Sequence, residues 1–164
     1  MAEPVKELLS GKSKNHLEKL KTLFPEKKSV VLPVIHTVYD QFGYINKDAV
    51  REAAKFMDIP YVYFEEAASF YTMFPLKPVG KYLIQACQNI CCTLMGAEEL
   101  VGYLKEKLNI EIGGTTDDGM FSLVLVECLG SCGTAPVMQI NDKYYENLTK
   151  EKVDEILEKL RNSQ

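Results

Sequence analysis

No basic excess, no long apolar run, no glycine-rich loop and almost no histidine are found in this 164-residue chain. Lys and Arg number 19 against 23 Asp and Glu, a net charge of −4. A nucleic-acid binder needs a basic face to neutralise phosphates, so that class is excluded. The longest apolar run, residues 30–35, falls far short of the roughly 20 residues a membrane helix requires. Direct membrane contact is therefore not expected, and any membrane link must come through partners. No phosphate-cradling loop is present, and the lone Gly113-Gly114 pair reads as a turn, so nothing here would hold NAD or FMN. His16 and His36 fall on separate helical stretches without Cys, Asp or Glu arranged around them, which marks them as structural or surface residues. No secretory leader opens Met1-Ala2-Glu3-Pro4-Val5-Lys6, which predicts reduced thiols in a cytoplasmic compartment.

What the chain does have is an ordinary globular composition, 46% hydrophobic and 26% charged, and five cysteines in two tight groups. Cys87-x4-Cys92 follows the strand-like run 81–86, and Cys128-x3-Cys132 follows the strand-like run 121–127. Neighbouring strands lie about 4.8 Å apart, so loops leaving one edge of a sheet can bring two thiolate pairs onto one inorganic centre. Four soft sulfur ligands select an iron–sulfur cluster or zinc over oxygen-loving cations. A thioredoxin-type dithiol needs Cys-x2-Cys, which is absent. A plant-type ferredoxin needs a third cysteine soon after Cys92, and a Rieske centre needs nearby histidines; neither is found. Zinc knuckles prefer tighter spacing, so a 2Fe–2S cluster is favoured over a zinc-stabilised interaction module. Cys91 also stands at a usable spacing from Cys87, either as an alternative ligand to Cys92 or as a spare thiol. Gly130 and Gly133 allow close backbone approach, so amides near Ser131, Cys132 and Gly133 are expected to donate to sulfur. The helix after Cys92 is expected to aim its positive end at the same place.

Periodicity divides the chain. Residues 13–74 read as about four helices: one through Leu17, Leu20 and Phe24, one from near Ser29 to Gly43, one capped by Asn46, and one opened by Pro60. A further helical turn over residues 5–9 would end at Gly11. The aromatic group Tyr61, Tyr63, Phe64, Phe70, Tyr71 and Phe74 serves either core packing or partner docking. Residues 74–80 read as the linker. The second part runs strand, cysteine loop, helix, strand, cysteine loop, two-residue hairpin at Asn141-Asp142, and a helix capped by Thr149. The helix after Cys92 is expected to bury Leu94, Ala97, Leu100 or Val101, Leu104 and Leu108. The fold class is thus mixed α+β or α/β, with a helical bundle over 1–78 and a thioredoxin-like α/β domain over 79–164.

With these residues in place, the chain resembles the E-type subunit family of NADH:quinone oxidoreductase, respiratory complex I. The resemblance is carried by residues 68–74 (Ala-Ser-Phe-Tyr-Thr-Met-Phe), Cys87-x4-Cys92, residues 127–136 from Glu127 to Pro136, and residues 139–142 and 144–148. It implies a helical domain joined to a thioredoxin-like 2Fe–2S ferredoxin domain with Cys87, Cys92, Cys128 and Cys132 as ligands and no catalytic residue of its own. It implies an electron-transfer subunit in the peripheral arm of a membrane-associated complex. Its partner would be the F-type flavoprotein subunit, which binds NADH, FMN and a 4Fe–4S cluster and whose flavin supplies the electrons. Related subunits serve NAD-linked hydrogenases and formate dehydrogenases, an alternative host. The family spacing favours Cys92 over Cys91, and Pro136 is expected to follow a cis peptide bond.

Overall fold

The computed structural model describes residues 7–163. The chain divides into two compact units, Met1–Pro78 and Val79–Gln164. The first unit contains α1 (Gly11–Leu23), α2 (Val31–Phe42), α3 (Lys47–Met57) and α4 (Tyr61–Phe70). Gly11 opens α1 where a helical turn had been expected to end. Ser10 is its cap, and its side chain accepts from the Ser13 N–H, a bond that decides where the helix starts. Residues 5 and 6 lie outside the described residues. Residues 7–9 are not helical; the Leu8 and Leu9 amides donate to the Glu52 carboxylate at 2.7 and 3.3 Å.

Pro33 sits in the first turn of α2, where its missing N–H leaves no helical bond unmade. Gly43 closes that helix at φ +72° with its N–H on Tyr39 O at 2.7 Å. Asn46 caps α3 by accepting from Asp48 and Ala49, both at 3.1 Å, worth about 1 kcal/mol. The inner face of α3 is Ala49, Val50, Ala53, Ala54 and Met57. It packs with Leu17, Leu20, Val34, Ile35 and Phe64 in one core. Phe74, where the bundle was expected to pass into the linker, is buried there as the core-packing reading of the aromatic group has it, edge-on to His36 at 4.9 Å between ring centroids. Ring burial of this size holds the chain down past α4.

The second unit contains β1 (Tyr82–Cys87), α5 (Ile90–Leu94), α6 (Ala97–Leu108), β2 (Phe121–Val126), β3 (Met138–Ile140), β4 (Lys143–Tyr145) and α7 (Lys150–Arg161). The sheet order is β2-β1-β3-β4, with β1 and β2 parallel and the other pairs antiparallel. Alternation puts Ile84, Phe121, Leu123, Met138 and Ile140 in one core with Leu104 of α6 and Leu157 of α7. The helices are pinned together where the Tyr103 hydroxyl donates to Asp154 at 2.7 Å and Lys107 pairs with it at 3.0 Å. Asn141 turns the hairpin at φ +51°, and its side chain bridges to Leu83 N–H and Lys81 O of the β1 segment.

One expectation fails here. The stretch after Cys92 is not a single helix, because Gly96 takes φ +91° and separates α5 from α6. Leu94, expected in the core, is 80% exposed, and the buried stripe begins only at Ala97. The Ala135–Pro136 peptide is cis, as the resemblance implies. Among the described residues no helix is long and apolar enough to cross a membrane.

Candidate metal centre

The parallel pairing of β1 with β2 sets the site. Cys87 is the last residue of β1 and stands opposite Val126, the last of β2, so both cysteine loops leave the same end of the sheet. Two backbone bonds hold this corner: Gln88 N–H to Val126 O at 3.0 Å and Cys87 N–H to Val137 O at 3.2 Å. Past Cys87 the chain turns at Asn89, whose side chain accepts from Ile90 N–H, and enters the short helix α5 that carries Cys91 and Cys92. Past β2 the chain runs through Cys128 and a left-handed Gly130 at φ +72° to a 3-10 turn, Cys132–Thr134.

The cysteines divide by depth. Cys87 and Cys92 are 3% and 2% exposed and form a small apolar group with Ala97, Ala135 and Val137. Cys128 and Cys132 are exposed, and Cys91 is half-buried. Cys92 and Cys128 stand near enough to Cys87 to act on its thiol, and Cys91 near enough to Cys132 to act on that one. None is in a disulfide. Thiols are soft donors, suited to iron–sulfur or zinc rather than to oxygen-loving cations.

The surroundings favour thiolate at one point and resist it at another. Burial pushes the Cys87 thiol upward, but amides of Asn89 and Leu129 and the thiols of Cys92 and Cys128 carry it below its ordinary value. Burial, then the hydrogen bond with Cys87, pushes Cys92 up to about 11 despite the Val137 amide. Cys132 is raised, first by its contact with Cys91. The Gly130 N–H donates to Cys128 Sγ at 3.3 Å. The amides of Asn89, Leu129 and Val137 thus favour thiolate at Cys87 and Cys92, and Gly130, beside Ser131, donates to Cys128. Cys92 lies within α5, and the helix that begins after it, α6, opens at Ala97 in the same apolar group as Cys87 and Cys92. Glu127 is exposed and accepts from Gln88 Nε2 at 3.1 Å, bridging the two loops.

The donor set, its amides and the strand–loop geometry suit an iron–sulfur cluster. The model of the family described as thioredoxin-like [2Fe-2S] ferredoxin matches residues 17–161. The chain belongs to that family. Among similar relatives of this thioredoxin-like ferredoxin is the E-type subunit of the NADH-quinone oxidoreductase of Rickettsia bellii, 46% identical over 137 residues, 83% of this chain and 82% of that protein. Another is the second E-type subunit of the NADH-quinone oxidoreductase of Rhizobium meliloti, 36% identical over 148 residues, 90% of this chain and 88% of that protein. The fold is shared with a chain of an NAD+-reducing [NiFe]-hydrogenase in the H2-reduced state. That likeness has a TM-score of 0.71 at 22% identity and covers 82% of this chain but 22% of the hydrogenase chain.

Two features of this ferredoxin were missed in its sequence. One is the apolar rim of α5, with Ile90 and Leu94 70% and 80% exposed; the other is Glu146, which reaches the second cysteine loop. Periodicity puts Leu94 at the start of the inward-facing stripe, which Gly96 interrupts, and no sequence signal singles out Ile90. His16 is exposed on α1 and His36 meets Phe74 edge-on, so both histidines lie within the first unit.

Proposed function

We propose that this protein is an electron-transfer subunit of an NADH-oxidising respiratory complex, holding one 2Fe–2S cluster on Cys87, Cys92, Cys128 and Cys132. The observation that carries the reading is that both cysteine loops leave the same end of a parallel strand pair, in a chain of the thioredoxin-like [2Fe-2S] ferredoxin family. When bound, such a cluster accepts and returns one electron at a time. The chain's own residues do the rest. Cys87 and Cys92 hold the inner side in an apolar group that excludes water. Cys128 and Cys132 hold the outer side at the surface, where a partner can approach. The amides of Asn89, Leu129, Gly130 and Val137 offer hydrogen bonds to sulfur, which favour added negative charge.

E-type relatives from two organisms support a complex I host, with electrons supplied by FMN on an F-type flavoprotein subunit. In that setting the chain contributes to an oxidoreductase without an NADH or quinone site of its own. The first unit is its docking domain: Phe70, Tyr71, Met73 and Leu76 are exposed at the end of α4 and beyond, although Phe64 and Phe74 are core. The assembly lies in the cytoplasmic, peripheral arm of the complex.

Iron and acid-labile sulfide analysis, with EPR of the dithionite-reduced protein, tests this. Two irons and two sulfides per chain with an S = 1/2 signal are expected. A colourless, EPR-silent protein with stoichiometric zinc would overturn it. Co-purification with a flavoprotein tests the host assignment.

A further inference from the structure

We propose that Glu146 is a positioning residue for the outer cysteine pair, clamping the loop 128–132 through Ser131 and lowering the reduction potential of the centre that this loop helps to hold. This rests on the function proposed above and extends it to a residue outside the thiol set.

Glu146 follows β4 and faces the loop across two hydroxyls. Its Oε1 accepts from Ser131 Oγ and from Thr134 Oγ1, the latter at 2.7 Å. Those two hydroxyl oxygens are themselves 2.8 Å apart, and Thr134 N–H donates to Ser131 O at 3.2 Å. The same segment makes three more bonds to the loop and its exit. Tyr144 OH donates to Leu129 O at 3.1 Å, Asn147 N–H to Thr134 O at 2.7 Å, and Leu148 N–H to Pro136 O at 3.1 Å.

These bonds add to the little else that holds the outer pair: Leu129 packed against the inner apolar group, the Gly130 N–H on Cys128 Sγ and the Gln88–Glu127 bridge. Cys87 and Cys92 are held by apolar packing, whereas Cys128 and Cys132 are exposed and outside every apolar cluster. Ordering an exposed loop costs about 1–2 kcal/mol of backbone entropy per residue. Here that cost is offset by hydrogen bonds, two of them to a carboxylate, which are the stronger kind. Glu146 is held below the usual carboxylate range by the Ser131 hydroxyl first and the Thr134 hydroxyl second, so it is ionised. Among the described residues no Lys, Arg or His pairs with it. An uncompensated negative charge therefore stands behind the outer pair, where it opposes the arrival of an electron. Surface glutamates more often point into solvent and bind nothing, but this one bonds to the residue beside Cys132.

Position and charge can be separated in the full-length protein. Glu146→Gln keeps an oxygen acceptor for both hydroxyls and removes the charge. Glu146→Ala removes both, and Ser131→Ala with Thr134→Ala removes the donors and leaves the charge. Redox titration followed by EPR should give the Gln variant wild-type iron content and a less negative midpoint. At the wild-type midpoint its reduced-to-oxidised ratio should rise about threefold for a screened charge at this range, where tenfold corresponds to 59 mV for one electron. The Ala variant should show that shift and faster iron loss to a chelator. The double Ala variant should show the faster loss and provides the test of clamping if Glu146→Ala fails to fold. An unchanged midpoint in Glu146→Gln, or wild-type iron retention in the double variant, overturns the proposal while the 2Fe–2S reading stands. A wild-type protein without the EPR signal overturns both.

Discussion

Adjacent cysteines with unequal surroundings give the sharpest test of the site. Cys92 is 2% exposed in a group with Cys87, Ala97, Ala135 and Val137, while Cys91 is half-buried. Cys92→Ser puts a hydroxyl into the apolar group, which costs about 1–3 kcal/mol when its bonding is incomplete. The Val137 amide offers the hydroxyl one partner, placing the cost near the lower end, about 1 kcal/mol. For a unit of this size that lowers the melting temperature of the metal-free protein by about 4–8 °C. On the proposed ligand set, the loss of one of four ligands should cost far more in cofactor content, with visible absorption bleached or shifted and iron well below two per chain. Cys91→Ser changes no ligand and little packing, so its stability should fall within about 0.5 kcal/mol of the parent and its spectrum should be unaltered. Iron, sulfide, the visible spectrum and thermal unfolding are measured on both variants side by side. A bleached Cys91→Ser beside a coloured Cys92→Ser would refute the ligand assignment and move it one residue along α5.

Other outcomes follow from the second unit. Phe121 is fully buried with its ring 5.5 Å from that of Tyr82, so Phe121→Ala should cost about 3–5 kcal/mol in urea unfolding; a loss under about 1 kcal/mol would mean that this core is not continuous. Asp154 is held below the usual carboxylate range by the Tyr103 hydroxyl first and Lys107 second. Its stabilising effect is therefore complete above the unfolded carboxylate value and lost as the pH falls through the lower folded value. Urea midpoints should drop on acidification below about pH 4, and Asp154→Asn should flatten that part of the profile. An Asp154→Asn profile identical to the parent's would show that the α6–α7 link does not respond to pH. Gly130 has φ +72° with open space where a Cβ would stand, so Gly130→Ala costs only backbone strain, about 1–2 kcal/mol. It should speed iron loss, whereas Gly130→Asn should be close to neutral; equal behaviour of Ala and Asn would remove the left-handed turn from the account.

Much of this protein is legible in one dimension because its signals are local. Leu17 and Leu20, the Asn46 cap, the Asn141-Asp142 turn and the Thr149 cap each depend on residues within a turn or two, and the structure shows each in place. The cysteine groups stand out for the same reason, since thiols on a common centre must come in closely spaced pairs. Errors arose where a local pattern is overruled by a contact from elsewhere. Gly11 looked like a stop, but the Ser10 side chain makes it a start. Phe74 stood at the linker's edge, but His36 and Tyr39 give it a place to be buried. Leu94 continued an apolar stripe that Gly96 breaks.

By itself the sequence determined which chemistry is available: thiols of the right softness, in pairs, on strand ends, in a chain without the charge, length of apolar run or loops for other tasks. The tertiary structure alone decided which thiols are deep and which are exposed, which amides reach sulfur, and that Glu146 stands behind Ser131 across 15 residues of sequence. Depth, amide direction and charge placement depend on how β1, β2 and the β3–β4 hairpin align. That alignment is a sum over many weak contacts distant in the chain, so no single residue type records it.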